Sequence, residues 1–247
     1  MEIYTTAIQK GGTGKTTTAA ILAQAAAHRG RRVLAIDLDP QCNMTFALAA
    51  NAAPGTGSSY DLLTGTPAAG LIQTTAQGLD VIPAAWDLST ISSGKGSARR
   101  LQRAIEPIKR DYDCIIIDTP PTAGELQYNA MQAATGLIIP LQADIYNLQS
   151  LYQITDTARQ IQGSNPALQI TGIVFTQYDG RSTIARQMKE TIESQAAAMG
   201  VPSLGVIRAA VVVKEAAALQ QSLFDYAPKS KPAADYLALY EKITQEA

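Results

Sequence analysis

The sequence predicts an α/β fold in which a doubly wound, mostly parallel sheet carries helices on both faces. Apolar runs of strand length alternate with segments of helical spacing almost to the end of the chain, and several of those runs are unbroken. Unbroken apolar runs are typical of strands covered on both faces, and strand–helix alternation is typical of parallel sheets. The apolar runs cover residues 3–8, 33–36, 79–82, 114–117, 137–141, 170–175 and 204–207, and the helical segments include residues 16–28, 98–110 and 184–199.

The length and composition are those of one globular domain. The 247 residues are 46% hydrophobic and 17% charged, so we expect a single domain spanning residues 1–247. Residues 49–70 are rich in Ala, Gly, Pro, Ser and Thr, as linkers are. We interpret them as surface loops around a short helix at residues 60–63, because the strand pattern resumes by Leu79. A second loop is predicted at residues 92–97.

Several classes of function are excluded by composition. Cys42 and Cys114 form no CxxC or Cys/His pattern, so no zinc site is expected and both thiols are predicted to be reduced, as in a cytoplasmic protein. The single histidine, His28, excludes a histidine-dependent triad. No apolar segment approaches the roughly 20 residues that span a bilayer, and the N-terminus shows no secretory pattern. With a net charge of −1, any contact with nucleic acid needs a local basic patch.

A glycine-rich segment at residues 10–17, reading Lys-Gly-Gly-Thr-Gly-Lys-Thr-Thr, joins the first apolar run to the first helical segment. This order of strand, loop and helix is the context of a phosphate-binding loop. Glycines let several backbone N–H groups point at one anion, and the helix dipole adds positive potential. Lys15 would reach the β- and γ-phosphates, and the Thr16 hydroxyl would bind Mg²⁺. The predicted nucleotide-binding residues are Lys10, Gly11, Gly12, Thr13, Gly14, Lys15, Thr16 and Thr17.

Carboxylates follow two other strand-like runs. Strand alternation places Asp37 and Asp39 on one face at the carboxyl end of a strand, where ligands bind in open α/β sheets. One such carboxylate can orient water while the other helps to hold Mg²⁺. Asp118 ends the run of residues 114–117 and is followed by Thr-Pro-Pro, an arrangement in which the carboxylate reaches Mg²⁺ through water. The alternative for all three aspartates is a structural role as capping residues.

Together these segments resemble the ParA/MinD family of P-loop ATPases, whose deviant Walker A loop opens with a second lysine. Gln9 stands here in place of the first glycine of the common loop, and Lys10 is the second lysine. The resemblance covers nearly the whole chain and is to the short form, which lacks an N-terminal operator-binding domain. It implies that Lys10 crosses a dimer interface to the partner's nucleotide and that Asp39 positions the attacking water. Cys42 replaces the family's usual glycine, which we expect to alter loop packing more than chemistry.

The resemblance implies a Mg²⁺-dependent ATPase that acts in DNA partitioning, in the cytoplasm and on the nucleoid. Two ATP-bound monomers are expected to form a homodimer that binds DNA without sequence preference. A ParB-like adaptor protein is expected to stimulate hydrolysis, which releases the dimer. Arg181 matches the family's DNA-contacting arginine, and ordinary solvated charge is the alternative for each basic residue proposed to contact DNA. The predicted roles are catalysis for Lys10, Lys15 and Asp39, binding of Mg²⁺ for Thr16, Asp37 and Asp118, and contact with DNA for Arg181, Arg208 and Lys214.

Two other functions stay open. A MinD-like ATPase uses a C-terminal amphipathic helix as its membrane anchor, but Asp235, Glu241 and Glu246 give the C-terminal segment here the wrong sign for anionic lipid. We therefore expect no membrane partner. The other alternative is an ATP-dependent amide- or ring-forming synthase, for which the sequence offers no candidate set of substrate contacts. The C-terminal segment is expected to dock on the core of the domain through an apolar face made of Tyr236, Leu239, Tyr240 and Ile243.

Overall fold

The sheet confirms the predicted architecture. A computed structural model describes residues 1–51, 56–94 and 96–245. The strands are β1 (Glu2–Thr6), β2 (Val33–Asp37), β3 (Gln73–Thr74), β4 (Asp80–Ile82), β5 (Cys114–Asp118), β6 (Gly136–Leu141), β7 (Gln169–Tyr178) and β8 (Ser203–Arg208). They form one sheet in the order β3-β4-β2-β5-β1-β6-β7-β8, in which only the β3–β4 pair is antiparallel. The carboxyl ends of the parallel strands therefore lie along one edge of the sheet.

Helices connect the strands and cover both faces of the sheet. The α-helices of the described residues are α1 (Lys15–His28), α2 (Asn43–Ala47), α3 (Ser59–Thr64), α4 (Arg100–Ile105), α5 (Glu125–Ala133), α6 (Tyr146–Gln162), α7 (Thr183–Ala198), α8 (Val212–Ala218), α9 (Leu223–Tyr226) and α10 (Lys231–Thr244). Parallel strands need such crossover connections because a hairpin turn cannot return the chain to the same end of the sheet.

Neighbouring residues of the central strands are buried on opposite faces. In β5, Ile115 and Ile117 pack into one apolar cluster with residues of α3 to α7. Cys114 and Ile116 pack into a second cluster with residues of α1 and of α8 to α10. Burial on both faces is the reason that the strands read as unbroken apolar runs.

The predicted helix at residues 98–110 is shorter in the structure. A 3₁₀ turn at Ser97–Arg99 leads into α4, which ends at Ile105, and a second 3₁₀ turn follows at Lys109–Asp111. Pro107 explains the break, because proline has no N–H to donate and its ring clashes with the preceding turn of a helix. The predicted helix is therefore confirmed over α4 and wrong for residues 106–110.

The two predicted loop regions agree with the structure where it describes them. The short helix expected at residues 60–63 is α3, and its capping box joins Ser58 to Asp61. Residues 52–55 of the first region and Lys95 of the second lie outside the described residues.

The C-terminal helix α10 docks on the core as expected. Tyr236, Leu239 and Tyr240 are at most 3% exposed and belong to the same apolar cluster as α1. The Tyr4 hydroxyl of β1 donates a 2.8 Å hydrogen bond to the Ile243 carbonyl oxygen, which ties the helix to the sheet. Glu246 lies outside the described residues. Within the described part of the chain, no helix has the length and apolar character that crossing a membrane requires.

Candidate functional site

The phosphate loop joins β1 to α1 at the carboxyl edge of the sheet. Gly12 and Gly14 have φ angles of +74° and +85°, a left-handed backbone that residues with side chains rarely adopt. A Cβ atom at Gly14 would also lie 3.2 Å from the Thr176 side chain. Residues 11–17 and Asp39 line one cavity of about 350 Å³. The structure thus brings residues 11–17 of the predicted loop together with one of the predicted aspartates, whereas Lys10 does not line this cavity.

Side chains from the neighbouring strands hold the loop in this shape. The Thr176 hydroxyl of β7 donates to the Thr13 carbonyl oxygen at 2.7 Å. The Gly12 carbonyl oxygen accepts from Nε2 of Gln142 at 3.0 Å and from Nε2 of Gln177 at 3.2 Å. Carbonyl groups held from outside leave the N–H groups of the loop free to face an anion. Sequence reasoning missed Gln142, although a polar residue directly after β6 is the same strand-end signal that identified Asp118.

Lys15 is buried within the loop. Its side chain is 6% exposed, and its Nζ donates a 2.6 Å hydrogen bond to the Lys10 carbonyl oxygen. Burial lowers the pKa of Lys15, and the negative charges of Asp118 and Asp39 oppose that shift. The ammonium therefore sits in a poorly solvated position where an anion has little water to displace.

Lys10 points to its own chain. Its Nζ lies 3.1 Å from both carboxylate oxygens of Asp144 and 5.7 Å from the centre of the Tyr146 ring. Asp144 is oriented in turn by the Tyr146 N–H, at 2.8 Å, and by Nδ2 of Asn147, at 2.8 Å. Sequence reasoning did not identify Asp144, because no local pattern links it to a lysine so distant in the sequence.

Asp37 ends β2 and is fully buried. Its Oδ1 accepts from the Asp39 N–H at 3.0 Å, and its Oδ2 accepts from the Thr45 N–H at 2.8 Å and the Thr45 hydroxyl at 2.7 Å. Burial raises the pKa of Asp37 to about 6 although these hydrogen bonds oppose the shift. A carboxylate engaged in this way favours the capping interpretation for Asp37, and its role as a metal ligand stays a prediction.

Asp118 has capacity left for a ligand. The Thr6 hydroxyl donates to its Oδ1 at 3.3 Å, whereas Oδ2 has no hydrogen-bond partner among the described residues. Burial, and then the nearby Asp37, raise the pKa of Asp118 well above its usual range. An unpaired buried carboxylate oxygen beside Lys15 and Thr16 fits a site for a hard cation such as Mg²⁺.

The protein does not supply a full set of metal ligands by itself. Among the described residues, no group of three or more His, Cys, Asp or Glu side chains is arranged to hold a metal ion. Mg²⁺ is commonly bound by one or two protein groups together with water and phosphate oxygens, so this finding agrees with a cation that arrives with a nucleotide.

Comparison with known proteins identifies the family. The family described as an AAA domain matches residues 1–170. The chain is 36% identical over 238 residues to the chromosome-partitioning ATPase Soj of Thermus thermophilus, a match that covers 95% of this chain and 92% of that protein. It is 39% identical over 203 residues to the chromosome partitioning protein ParA of Caulobacter vibrioides, covering 78% and 76%. The chain belongs to the ParA-type P-loop ATPases.

Solved structures show the same fold at similar length. The cell division ATPase MinD of Pyrococcus furiosus superposes with a TM-score of 0.81 at 27% identity, covering 100% of this chain and 99% of that one. Cobyrinic acid a,c-diamide synthase of Mycobacterium smegmatis, with bound ADP and magnesium, has a TM-score of 0.81 at 30% identity and covers 96% and 91%. The fold is thus shared by proteins with different reported activities, so the function has to be inferred from the residues of the site.

Cys42 departs from the usual ParA-type sequence at a position with a backbone constraint. Its φ is +55°, in the left-handed region, directly before α2. Glycine adopts this conformation without strain, whereas for a residue with a Cβ atom it costs about 1 kcal/mol in conformational free energy. The expectation that Cys42 affects loop packing agrees with its contact with the apolar cluster of α3 to α7.

The residues predicted to contact DNA lie in different settings. Arg181 is exposed and pairs with Asp179, with Nε 2.9 Å from Oδ1. Arg208 pairs with Asp235, with Nε 2.8 Å from Oδ2, and together with Lys214 it lines a cavity of about 70 Å³ beside the phosphate loop. Two of the three positive charges are therefore offset by acids of the same chain, and DNA contact by these residues stays a prediction.

Matched substitutions of the buried aspartates separate a capping role from a ligand role. Asp37→Asn places an amide NH₂ opposite the N–H groups that Asp37 accepts from, so we expect the free energy of unfolding to fall by about 2–3 kcal/mol. Asp118→Asn replaces a buried carboxyl group whose Oδ2 has no partner among the described residues, so we expect a change below about 1 kcal/mol. Urea denaturation at pH 7.5 measures both. Equal destabilisation by the two substitutions would show that the distinction is wrong.

Proposed function

We propose that this ParA-type chain is a DNA-partitioning ATPase. ATP binding drives formation of a sandwich homodimer that binds DNA without sequence preference, and hydrolysis, stimulated by a ParB-like partner, releases the DNA. The observation that carries the proposal is the placement of Lys10, Lys15 and Asp39 together at one edge of the sheet. Lys15 and Asp39 line the phosphate-loop cavity, and the Lys10 carbonyl is bonded to Lys15.

The residues of the cavity fit ATP and Mg²⁺. The N–H groups of the loop and the Lys15 ammonium bind phosphate oxygens. To do so, Lys15 gives up its hydrogen bond to the Lys10 carbonyl oxygen. The Thr16 hydroxyl and the Asp118 carboxylate would hold the cation. When bound, Mg²⁺ neutralises part of the phosphate charge.

Dimer formation requires Lys10 to change partners. In the single chain its ammonium is bound by Asp144. In the proposed dimer it contacts the phosphates that the partner subunit binds. A triphosphate carries more negative charge than one half-exposed carboxylate, so the exchange becomes favourable when both subunits hold ATP. Loss of the γ-phosphate weakens that contact and releases the dimer.

Asp39 is proposed to orient the attacking water. It is 6% exposed, and only its Oδ1 accepts a hydrogen bond among the described residues, from the Gln41 N–H at 3.0 Å. It is also the only acidic side chain that lines the phosphate-loop cavity in the described part of the chain. With one carboxylate available to orient water, we expect slow intrinsic turnover that a partner protein accelerates.

A MinD-like ATPase that positions a membrane or protein cargo is the second candidate, favoured by the similarity to the Pyrococcus furiosus MinD. Against a lipid anchor, the apolar face of α10 is buried in the core. An amide-forming synthase is the third candidate function, favoured by the structural similarity to the Mycobacterium smegmatis synthase. Sedimentation with anionic vesicles tests the second candidate, and turnover that depends on an added carboxylic acid tests the third.

DNA binding that depends on ATP tests the proposed function. We expect a 30-base-pair duplex of either of two unrelated sequences to bind in the presence of ATP and Mg²⁺, with affinity that falls steeply as salt rises. Fluorescence polarisation measures the affinity with ATP, with ADP and without nucleotide. Equal affinity under the three conditions would reject the proposal.

Substitution of Lys15 and substitution of Lys10 are expected to block different steps, nucleotide binding and dimer formation. Lys15→Ala removes the buried ammonium from the phosphates, so we expect ATP affinity to fall at least about a hundredfold. Lys10→Ala should leave monomer binding of ADP within about twofold, yet abolish the ATP-dependent dimer, because its ammonium acts on the partner's nucleotide. Calorimetry measures nucleotide binding and light scattering measures mass. An unchanged ATP-dependent dimer of Lys10→Ala would refute the role across the interface.

Asp39→Ala should keep nucleotide binding and prolong the ATP-bound dimer. Without the carboxylate, the attacking water is no longer oriented, so we expect turnover to fall about 10²-fold or more. Phosphate release and the lifetime of the dimer measure this effect. Asp87→Ala, at an exposed position away from the cavity, is the control. Turnover at the rate of the unsubstituted protein would assign water positioning to another residue.

A further inference from the structure

The segment at residues 99–110 is a local concentration of positive charge. It carries five basic side chains and one acidic one, in a chain whose net charge is −1. The one acid, Glu106, pairs with Lys109 at 2.6 Å. Among the described residues, Arg99, Arg100 and Arg103 have no carboxylate within ion-pair distance, so their charges are not offset as those of Arg181 and Arg208 are.

Backbone carbonyl groups position these three guanidinium groups without neutralising them. Nη2 of Arg99 donates to the Ser164 carbonyl oxygen at 2.7 Å. Nη2 of Arg103 donates to the Gly96 carbonyl oxygen at 2.9 Å, and Arg100 reaches back to the same loop. A guanidinium has five N–H donors, so each arginine keeps donors for a further acceptor. The full positive charge remains and is already oriented.

A groove between α3 and α4 lies beside this charge. Its volume is about 490 Å³, and its lining includes Arg100, Arg103 and the exposed turn at residues 64–67. No acidic side chain of the described residues lines it. None of the three arginines lines the phosphate-loop cavity. A long anion can therefore bind here without competing for the nucleotide site.

We propose that Arg99, Arg100 and Arg103, called the α4 arginines, form a contact surface for the phosphate backbone of duplex DNA. This inference rests on the proposed DNA-binding function and assigns it residues that the family resemblance did not. Arginine forks bind phosphate oxygens in pairs, and charge without base contacts gives binding without sequence preference. A dimer carries the surface twice, which strengthens binding to one duplex.

The test compares charge-removing and charge-keeping substitutions in the full-length protein. In the double variant Arg100→Gln/Arg103→Gln, each side chain keeps a polar N–H donor but carries no charge. We expect its ATP-dependent affinity for duplex DNA at 0.1 M salt to fall at least about tenfold, and the slope of log K against log salt to decrease by about 2 for each α4 surface engaged. Arg100→Lys/Arg103→Lys should keep the slope.

Other measurements separate this role from a structural one. The double glutamine variant should keep its thermal midpoint, its ATP-dependent dimer and its basal ATP turnover. Arg159→Gln is the matched control, because Arg159 is also an exposed arginine that donates to a carbonyl group, that of Met199 at 2.7 Å. It should bind DNA with the affinity and salt slope of the unsubstituted protein.

The outcomes distinguish the two proposals. If the unsubstituted protein binds DNA with ATP and the double glutamine variant binds equally well, the α4 surface is wrong while the proposed function stands. Pyrophosphate binding is measured by calorimetry. If the double variant loses it while its DNA affinity is unchanged, the α4 arginines bind a small anion and not DNA. If the unsubstituted protein binds no DNA in any nucleotide state, both proposals fail.

Discussion

The burial of Lys15 close to Asp118, with Asp37 on the other side of that carboxyl group, is the constraint on which the site depends. All three side chains are at most 6% exposed, and each pKa is shifted in the direction that disfavours its charge. Burying charged groups is costly unless each gains a partner. Among the described residues, Asp37 has hydrogen-bond partners for both oxygens, whereas Lys15 has one carbonyl partner and Oδ2 of Asp118 has none. The site is thus organised around a cation and an anion that a magnesium–nucleotide complex would supply.

Positive charges at the functional surfaces are held by acids of the same chain. Lys10 is bound by Asp144 and Arg208 by Asp235. A partly exposed ion pair contributes only about 0–1 kcal/mol, so a ligand with more negative charge can take over such a lysine or arginine at small cost. Under the proposed function, binding at these positions would be an exchange of partners. The α4 arginines differ, because within the described part of the chain they are oriented by carbonyl groups and not by carboxylates.

Much of the fold was predictable because its signals are local. Apolar runs identified the main strands, and the strand–loop–helix order identified the phosphate loop. The predicted helix at residues 98–110 failed at Pro107, where a backbone effect overrides a correct periodicity. Of the antiparallel pair, β4 was predicted but β3 was not, because β3 has only two residues, too few for any pattern. Within the site, Lys15 and Asp39 line one cavity and their roles stay predictions, whereas Gln142 and Asp144 were not anticipated.

By itself, the sequence determined the α/β class, the phosphate loop and the strand-end aspartates, because each depends on residues close together in the chain. Only the tertiary structure decided which charges meet. Lys10 and Asp144 are 134 positions apart, and they become neighbours because β1 and β6 are adjacent parallel strands that end at the same edge. The pairing of Arg208 with Asp235 likewise depends on the packing of α10 against β8. Contacts between distant segments are set by strand order and helix docking, which no local pattern encodes.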